Sequence, residues 1–390
     1  MTERRPVPLK RVVLDACDGP FGSSLKSDHY RDDGARVIRL GNVGAGSWVD
    51  SDAAYIDLDY WRLLNRHHAL PGDLIVAGLG DENHPVGRAC VLPDVGPAMV
   101  KADCYRLRLD PARADARFVA LFLSSTAGSG EALKLADGAT RSRLTLSKAL
   151  SIPIPDLDLE LQRAIVDYLD AETARIDRLI AGTASTASLL RERHQAEVAV
   201  RFLPQELPGG WVMMKLKRIA TFKSGDSITS DFIEAEGQYP VFGGNGVRGF
   251  TDRYNCDGFY PLVGRQGALC GNVNYGQGRF WASEHAVVVR PHTGVEAMWL
   301  GELLRALDLN QYSLTAAQPG LAVDQVENLV VPVPGQSRQR ELAGWVSGQT
   351  AWTDMIARAL QARLILLQER RQALITAAVT GQIEIPGVAA

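Results

Sequence analysis

Two stretches of this chain are written in one register. Residues 152–177 read IPIPDLDLELQRAIVDYLDAETARID, and residues 331–354 read VPVPGQSRQRELAGWVSGQTAWTD. After a two-residue gap, Gln162 aligns with Gln339, Arg163 with Arg340, Thr173 with Thr350 and Asp177 with Asp354, always 177 positions apart. The same separation carries LLRERHQA at 189–196 onto LLQERRQA at 366–373. So long a period does not describe a solenoid. It implies two copies of a domain-sized unit and pseudo-two-fold architecture, which suits a target or partner set that is itself nearly two-fold.

Each copy opens on a proline-bounded extended segment, Ile152–Pro155 or Val331–Pro334, and a helix starts beyond it because proline disfavours continuing one. Asp156 or Asp158 is placed to cap the first helix. No proline follows until about Phe202 in one copy and about Thr380 in the other. At 1.5 Å per residue each helix is on the order of 65 Å long. Their apolar spacing is that of a coiled coil. One seam runs Val346, Thr353, Leu360, Leu367, Leu374, flanked by Leu342 and Ile356. Its counterpart runs Leu169, Ile176, Thr183, Leu190, Glu197, flanked by Ile165 and Leu179. Equal lengths and matching seams predict that the two helices pair as an antiparallel coiled coil; the alternative is that each lies on its own globular domain. Gly381 supplies the stop.

The 390 residues, 46% of them hydrophobic, are enough for two to four domains with real cores. The expected division is a globular domain over 1–151, a helix over 152–205, a second globular domain over 206–330, and a second helix with a tail over 331–390. Both globular parts read as α+β, with short β-type runs broken by glycine: Ala35–Leu40, Asp73–Ala77 and Cys104–Leu109 in the first, Tyr239–Phe242, Tyr260–Val263 and Ala286–Val289 in the second. Each opens with Leu-Lys-Arg (Leu9–Arg11, Leu216–Arg218). Each carries a glycine-rich strand pair in its middle, Gly78–Gly80 to Val86–Arg88 and Gly264–Gly267 to Cys270–Gly271. Similar helices joined to divergent domains suggest a common frame carrying two different readers.

Several classes are disfavoured. No stretch has signal-peptide character, and nowhere do eighteen apolar residues run together, so neither export nor a membrane span is expected. The five cysteines are scattered without a CxxC pair, which argues for reduced core thiols in a cytosolic protein and against a zinc site. The net charge of −3 is not that of a nucleic-acid-coating protein, but binding depends on where charges lie, and a subunit of a larger complex can borrow basic surface.

The whole chain resembles the specificity subunits of type I restriction–modification systems. The resemblance is carried by Gly22–Lys26 and Val37–Val43, by Gly237–Gly246, Val263–Gly267 and Phe280–Ala286, by the helix entries Ile152–Asp177 and Val331–Asp354, and by the closing Ala377–Gly381. The family often has a Glu-Gln step before its helix; here the steps are Leu161-Gln162 and Arg338-Gln339, keeping the amide and not the acid. The resemblance implies two target-recognition domains, each reading one half of a split, asymmetric site in double-stranded DNA, and paired helices that fix the gap between the halves. It also implies two methyltransferase subunits that methylate adenine with S-adenosylmethionine, and restriction–translocase subunits that join for cleavage. This chain itself would bind no cofactor.

Candidate DNA contacts follow from residue type. Arg39 and Asn42 flank a Gly-Asn turn and match guanine and adenine, unless Asn42 merely holds the turn. Gly244, Asn245 and Arg248 form a polar glycine loop, which is otherwise a plain tight hairpin. Arg265 and Gln266, between two glycines, are the best base-reading pair, with a structural strand turn as the alternative. Lys26, Arg88, Arg141 and Arg143 suit phosphate or are ordinary solvated charge. Glu284-His285 and Asp81–His84 look like acid–base pairs, but neither comes with a nucleophile or a metal-ligand partner, so no catalytic or metal site is expected. A stand-alone methyltransferase would need an Asn/Asp-Pro-Pro-aromatic step, and a translocase a GxxxxGK[ST] loop; neither is present. A coiled-coil scaffold with no DNA role remains as the rival, although it would gain nothing from two divergent domains.

Overall fold

A computed structural model describes residues 5–51, 53–138, 141–267, 269–313 and 320–386. Four helices organise it: α1 (Ala116–Ser124), α2 (Leu159–Phe202), α3 (Ala297–Ala306) and α4 (Gln336–Val379). α2 and α4 are 44 residues each. α4 stops where Gly381 takes φ 72°, its N–H bonding to Ala378 O while that of Gln382 bonds to Ala377 O. Such a left-handed glycine closes a helix by satisfying its last carbonyls.

The chain folds into two compact units that divide both long helices: residues 1–182 with 363–390, and residues 183–362. In the first, β1 (Val13–Cys17), β2 (Leu74–Ala77), β3 (Ala89–Val91) and β4 (Cys104–Leu109) form an antiparallel sheet in the order β1-β4-β2-β3. A second, five-stranded sheet contains Ala35–Ile38 paired parallel to Ala98–Val100. Ile38, Val43, Ile75, Ala77, Leu92, Val100 and the thiols of Cys17, Cys90 and Cys104 share one apolar cluster. Ile165, Val166 and Leu169 of α2 and Ile375, Ala378 and Val379 of α4 close a larger core with Phe118 and Leu123 of α1.

In the second unit, β5 (Ala220–Ser224), β6 (Tyr239–Gly243), β7 (Gly246–Thr251), β8 (Cys256–Gly264), β9 (Val273–Ala282) and β10 (Ala286–Pro291) form one sheet, β5-β10-β8-β9-β6-β7. Only β6–β9 is parallel. Its first four members, β5-β10-β8-β9, repeat the order and direction of β1-β4-β2-β3. Each unit thus contains one copy of a shared plan, with a helix, α1 or α3, next along the chain after the last strand of that sheet. Trp299, Leu300, Leu303 and Leu304 of α3 pack on Val198 and Phe202 of α2 and on Leu342 and Val346 of α4. Complete burial of such side chains contributes roughly 1.5–3 kcal/mol each.

The repeated sequence elements have identifiable work in this plan. Both Leu-Lys-Arg tripeptides lie in short 3-10 turns in which the leucine is fully buried. Gln162 accepts a bond from Asp115 N (2.9 Å) and donates to Leu157 O (2.8 Å) and Arg113 O (3.2 Å). Gln339 does the same in the other unit, accepting from Glu296 N (2.9 Å) and donating to Pro334 O (2.9 Å). Asp115 and Glu296 are the N-cap residues of α1 and α3. The retained glutamine therefore staples the start of each long helix to the start of the helix before it.

Along the seams, Leu169, Ile176, Thr183, Val346 and Thr353 are buried, while Leu190, Glu197, Leu360, Leu367 and Leu374 are half-buried. Of the flanking residues Ile165 and Leu342 are buried, and Leu179 is exposed. In the second unit His194 meets Thr350 (3.3 Å) and Arg201 lies over Trp345 (4.3 Å), so α2 ascends as α4 descends. In the first unit Arg371 pairs with Asp177 (2.9 Å). The two helices run antiparallel, as the seams predict.

Candidate nucleic-acid interface

Four segments of the second unit converge at the end of β8. Gly243 pairs with Gly246, leaving Gly244-Asn245 as a two-residue hairpin tip, and Gly246 has φ 95°, a conformation that glycine adopts without cost. Gly264 must be glycine: a Cβ there would lie 2.0 Å from the Gly244 carbonyl oxygen. Beyond it, Arg265 N bonds to His285 O (2.9 Å), Leu321 N bonds to Arg265 O (2.9 Å), and Gly271 N bonds back to Gly264 O (2.8 Å). The Arg265 guanidinium rests on Ser224 Oγ (3.3 Å) at the end of β5. Asn245, Arg248, Arg265, Gln266 and Asn272 are all exposed there. Hairpin and strand turn are thus both real, and they display polar side chains with fixed backbones. Asn272, whose amide bonds to Asn245 Oδ1 at 2.8 Å, carries no signal in the sequence. Only the pairing of β8 with β9 brings it to the hairpin.

The first unit repeats the three-bond pattern with other residues. Gly78 N bonds to Asp103 O (2.7 Å), Leu144 N to Gly78 O (2.8 Å) and Gly87 N to Ala77 O (2.9 Å). Gly78 thus occupies the position of Arg265. It can hold no side chain, because a Cβ would lie 2.6 Å from the Tyr105 hydroxyl. The charge sits instead on the facing segment: Arg143 pairs with Leu79, as Gly320 bridges Gln266, and its guanidinium is held by Asp103 at 2.8 Å. Arg143 remains half-exposed. One backbone frame therefore presents different donors in the two units.

Two candidates are corrected by their surroundings. Asn42 is fully buried, its Oδ1 accepting from Arg39 N (2.9 Å) and its Nδ2 donating to Val49 O (3.0 Å). It holds the turn and has no edge to offer a base. Arg88 is 6% exposed, and its guanidinium donates to Val43 O (2.8 Å), Leu40 O (3.0 Å) and Leu79 O (3.1 Å). Burial pulls its pKa below the usual arginine value. It clamps three segments together and does not meet phosphate. Arg39 is half-buried at the strand end, while Lys26 and Arg141 are exposed and, like Arg248, make no ion pair among the described residues.

Among the described residues no general acid–base constellation assembles. Asp81 Oδ1 accepts from Asn83 N and His84 N (2.9 Å each), an Asx turn at the surface, and the His84 ring beside it keeps that carboxyl below the usual range. His285 Nε2 lies 3.3 Å from Glu284 Oε1, and the neighbouring Ser283 hydroxyl accepts from the His285 backbone N–H (3.4 Å) and not from its ring. Among the described residues no group of His, Cys, Asp or Glu could hold a metal ion, and no helix is long and apolar enough to cross a membrane.

Residues 208–358 match the family model of the type I restriction modification DNA specificity domain. The specificity subunit of the Escherichia coli type I restriction enzyme EcoprrI is 37% identical over 195 residues, 48% of each chain, so the match spans about half the length of that relative. A putative type I specificity subunit from Haemophilus influenzae is 21% identical over 124 residues, 31% of this chain and 32% of that one. Among solved structures, a chain from a study of complex assembly and conformational transition in the type I R-M system superposes with TM-score 0.75 at 18% identity, covering 97% of this chain and 98% of the other. The HsdS subunit of Thermoanaerobacter tengcongensis gives 0.54 at 17% identity, covering 98% of both. These structures share the fold. The second globular domain is thus similar in sequence to the type I restriction modification DNA specificity domain, and the chain shares its fold with the solved HsdS subunit.

Proposed function

We propose that this chain reads a bipartite, asymmetric site in double-stranded DNA, one globular domain per half-site, and directs a methyltransferase to it. The observation that carries the proposal is the shared frame with exchanged side chains: Arg265 and Gln266 project where the first unit has Gly78 and Leu79, and Arg143 projects where the second has Gly320. Two readers that differ give a site without two-fold symmetry, and arginine or glutamine at a fixed backbone supplies bidentate contacts to base edges. Lys26, Arg141 and Arg248 supply phosphate contacts that position without specifying. α2 and α4 set the gap between halves and dock two methyltransferase subunits, which bring S-adenosylmethionine to adenine. Restriction–translocase subunits join the same assembly in the cytoplasm. The chain itself is non-catalytic.

Binding of this chain to duplex DNA, measured with its methyltransferase partner present, tests the reading. A sequence-selective complex whose affinity falls steeply with salt is expected. Binding that does not distinguish sequences would leave the scaffold alternative.

A further inference from the structure

The amides of Asn245 and Asn272 form a unit that neither residue makes alone. Asn245 sits at the tip of the β6–β7 hairpin and Asn272 at the start of β9; both are exposed. Asn272 Nδ2 donates to Asn245 Oδ1 at 2.8 Å. Among the described residues, Asn245 Nδ2 and Asn272 Oδ1 have no protein partner. Their backbones are not free to drift. Gly264 N bonds to Asn272 O (2.9 Å) and Gly271 N to Gly264 O (2.8 Å), and a Cβ on Gly244 would lie 3.4 Å from the Gln266 carbonyl oxygen, so the hairpin tip runs close beside that turn. The pair therefore stands on the same backbone framework as Arg265 and Gln266.

We infer that Asn272 is a specificity-determining residue of the second half-site, acting with Asn245 as one donor–acceptor pair that reads an adenine beside the contacts of Arg265 and Gln266. The inference rests on the DNA-reading function proposed above. With Asn245 Oδ1 occupied, Asn245 offers only donors, and the acceptor beside it is Asn272 Oδ1. A donor next to an acceptor complements the N7 and N6 amino group of adenine in the major groove. One asparagine makes this contact by itself in the usual case; here the contact is divided between two side chains, and the second fixes which face of the first is presented.

The polarity of the pair is the testable part. Asn272→Ala removes the acceptor and frees Asn245 to rotate. Asn272→Asp keeps size and shape but can only accept, so the Asn245 amide turns its Nδ2 inward and presents its oxygen. The experiment co-expresses wild-type, Asn272→Ala or Asn272→Asp chains with the methyltransferase subunit and compares methylation across a library of duplexes varied in both half-sites. The alanine variant is expected to lose roughly tenfold or more of its preference for adenine at one position of the second half-site, other than the methylated base. The aspartate variant shifts that position toward cytosine, whose amino group donates. The first half-site is unchanged in both. If both variants keep the wild-type preference, or both are inactive on every duplex, the inference fails. If the wild-type chain itself yields no sequence-dependent methylation, it is the underlying DNA-reading function that fails.

Discussion

Replacing Gln162 by methionine keeps the volume of the side chain and deletes its polar end. Gln162 is 4% exposed and makes three bonds, to Asp115 N, Leu157 O and Arg113 O. A buried N–H stripped of its acceptor costs about 1–3 kcal/mol and each lost bond to a carbonyl about 1 kcal/mol, so local opening around Asp115 should become easier by about 3 kcal/mol. Gln339 makes two such bonds, and Gln339→Met should cost about 2 kcal/mol around Glu296. Native-state hydrogen exchange reads these openings directly, because local free energies set amide protection. Exchange at the Asp115 amide should accelerate roughly a hundredfold in Gln162→Met, and at the Glu296 amide by somewhat less in Gln339→Met, each change confined to its own unit. Gln162→Glu sharpens the test. A carboxylate still accepts from Asp115 N but faces two carbonyl oxygens, so its folded-state pKa must rise above the ordinary value of about 4.3. A raised carboxyl pKa stabilises only the protonated form, so this variant should lose stability as pH rises through that value and be the worst of the three at neutral pH. Exchange unchanged within twofold in Gln162→Met, or a larger effect from Gln339→Met, would refute the staple.

The remaining expectations concern readers and core. Arg265→Ala should leave thermal stability within about 0.5 kcal/mol, as for other exposed side chains, yet lose about 1–3 kcal/mol of discrimination at one base pair of the second half-site in a competition binding assay. Arg88→Ala should do the opposite, lowering the stability of the first unit by several kcal/mol in a denaturation experiment because five carbonyls lose a charged donor, with the salt dependence of DNA binding unchanged. Burial pushes the thiols of Cys90 and Cys104 up to about 12, so both should resist iodoacetamide at pH 8 in the native chain and react in urea, as mass spectrometry of the labelled peptides would read. The same shift has a sign: between the ordinary thiol value of 9 and about 12 the folded chain holds more protons than the unfolded one, so stability falls as pH rises through that window.

What was legible in the sequence was whatever repeats or has a period. The constant register of Gln162 with Gln339 announced two copies of one unit, and the seven-residue seams and bounding prolines placed α2 and α4 to within a few residues. The same arithmetic is silent about surroundings. Asn42 and Arg88 have the residue types that read DNA, and only the packed fold shows their polar atoms already spent on Val49, Val43, Leu40 and Leu79. Asn272 was invisible for the converse reason: its partner is 27 residues away, at the tip of the β6–β7 hairpin. The polar seam positions Thr183 and Glu197 were visible; Thr183 is buried all the same, while Glu197 is half-buried. The contact units cut through both long helices where the repeat suggested intact domains followed by intact helices, because each half-helix buries its apolar stripe in the nearer core.

The central claim is that this chain dictates which DNA sequence is modified. Its most direct test is to express the methyltransferase subunit with and without this chain in the same cells and to sequence the methylated adenines. A bipartite, asymmetric motif with a fixed gap is expected, present only when the chain is present. Methylation that is absent in both cases, or carries the same motif without the chain, would contradict it.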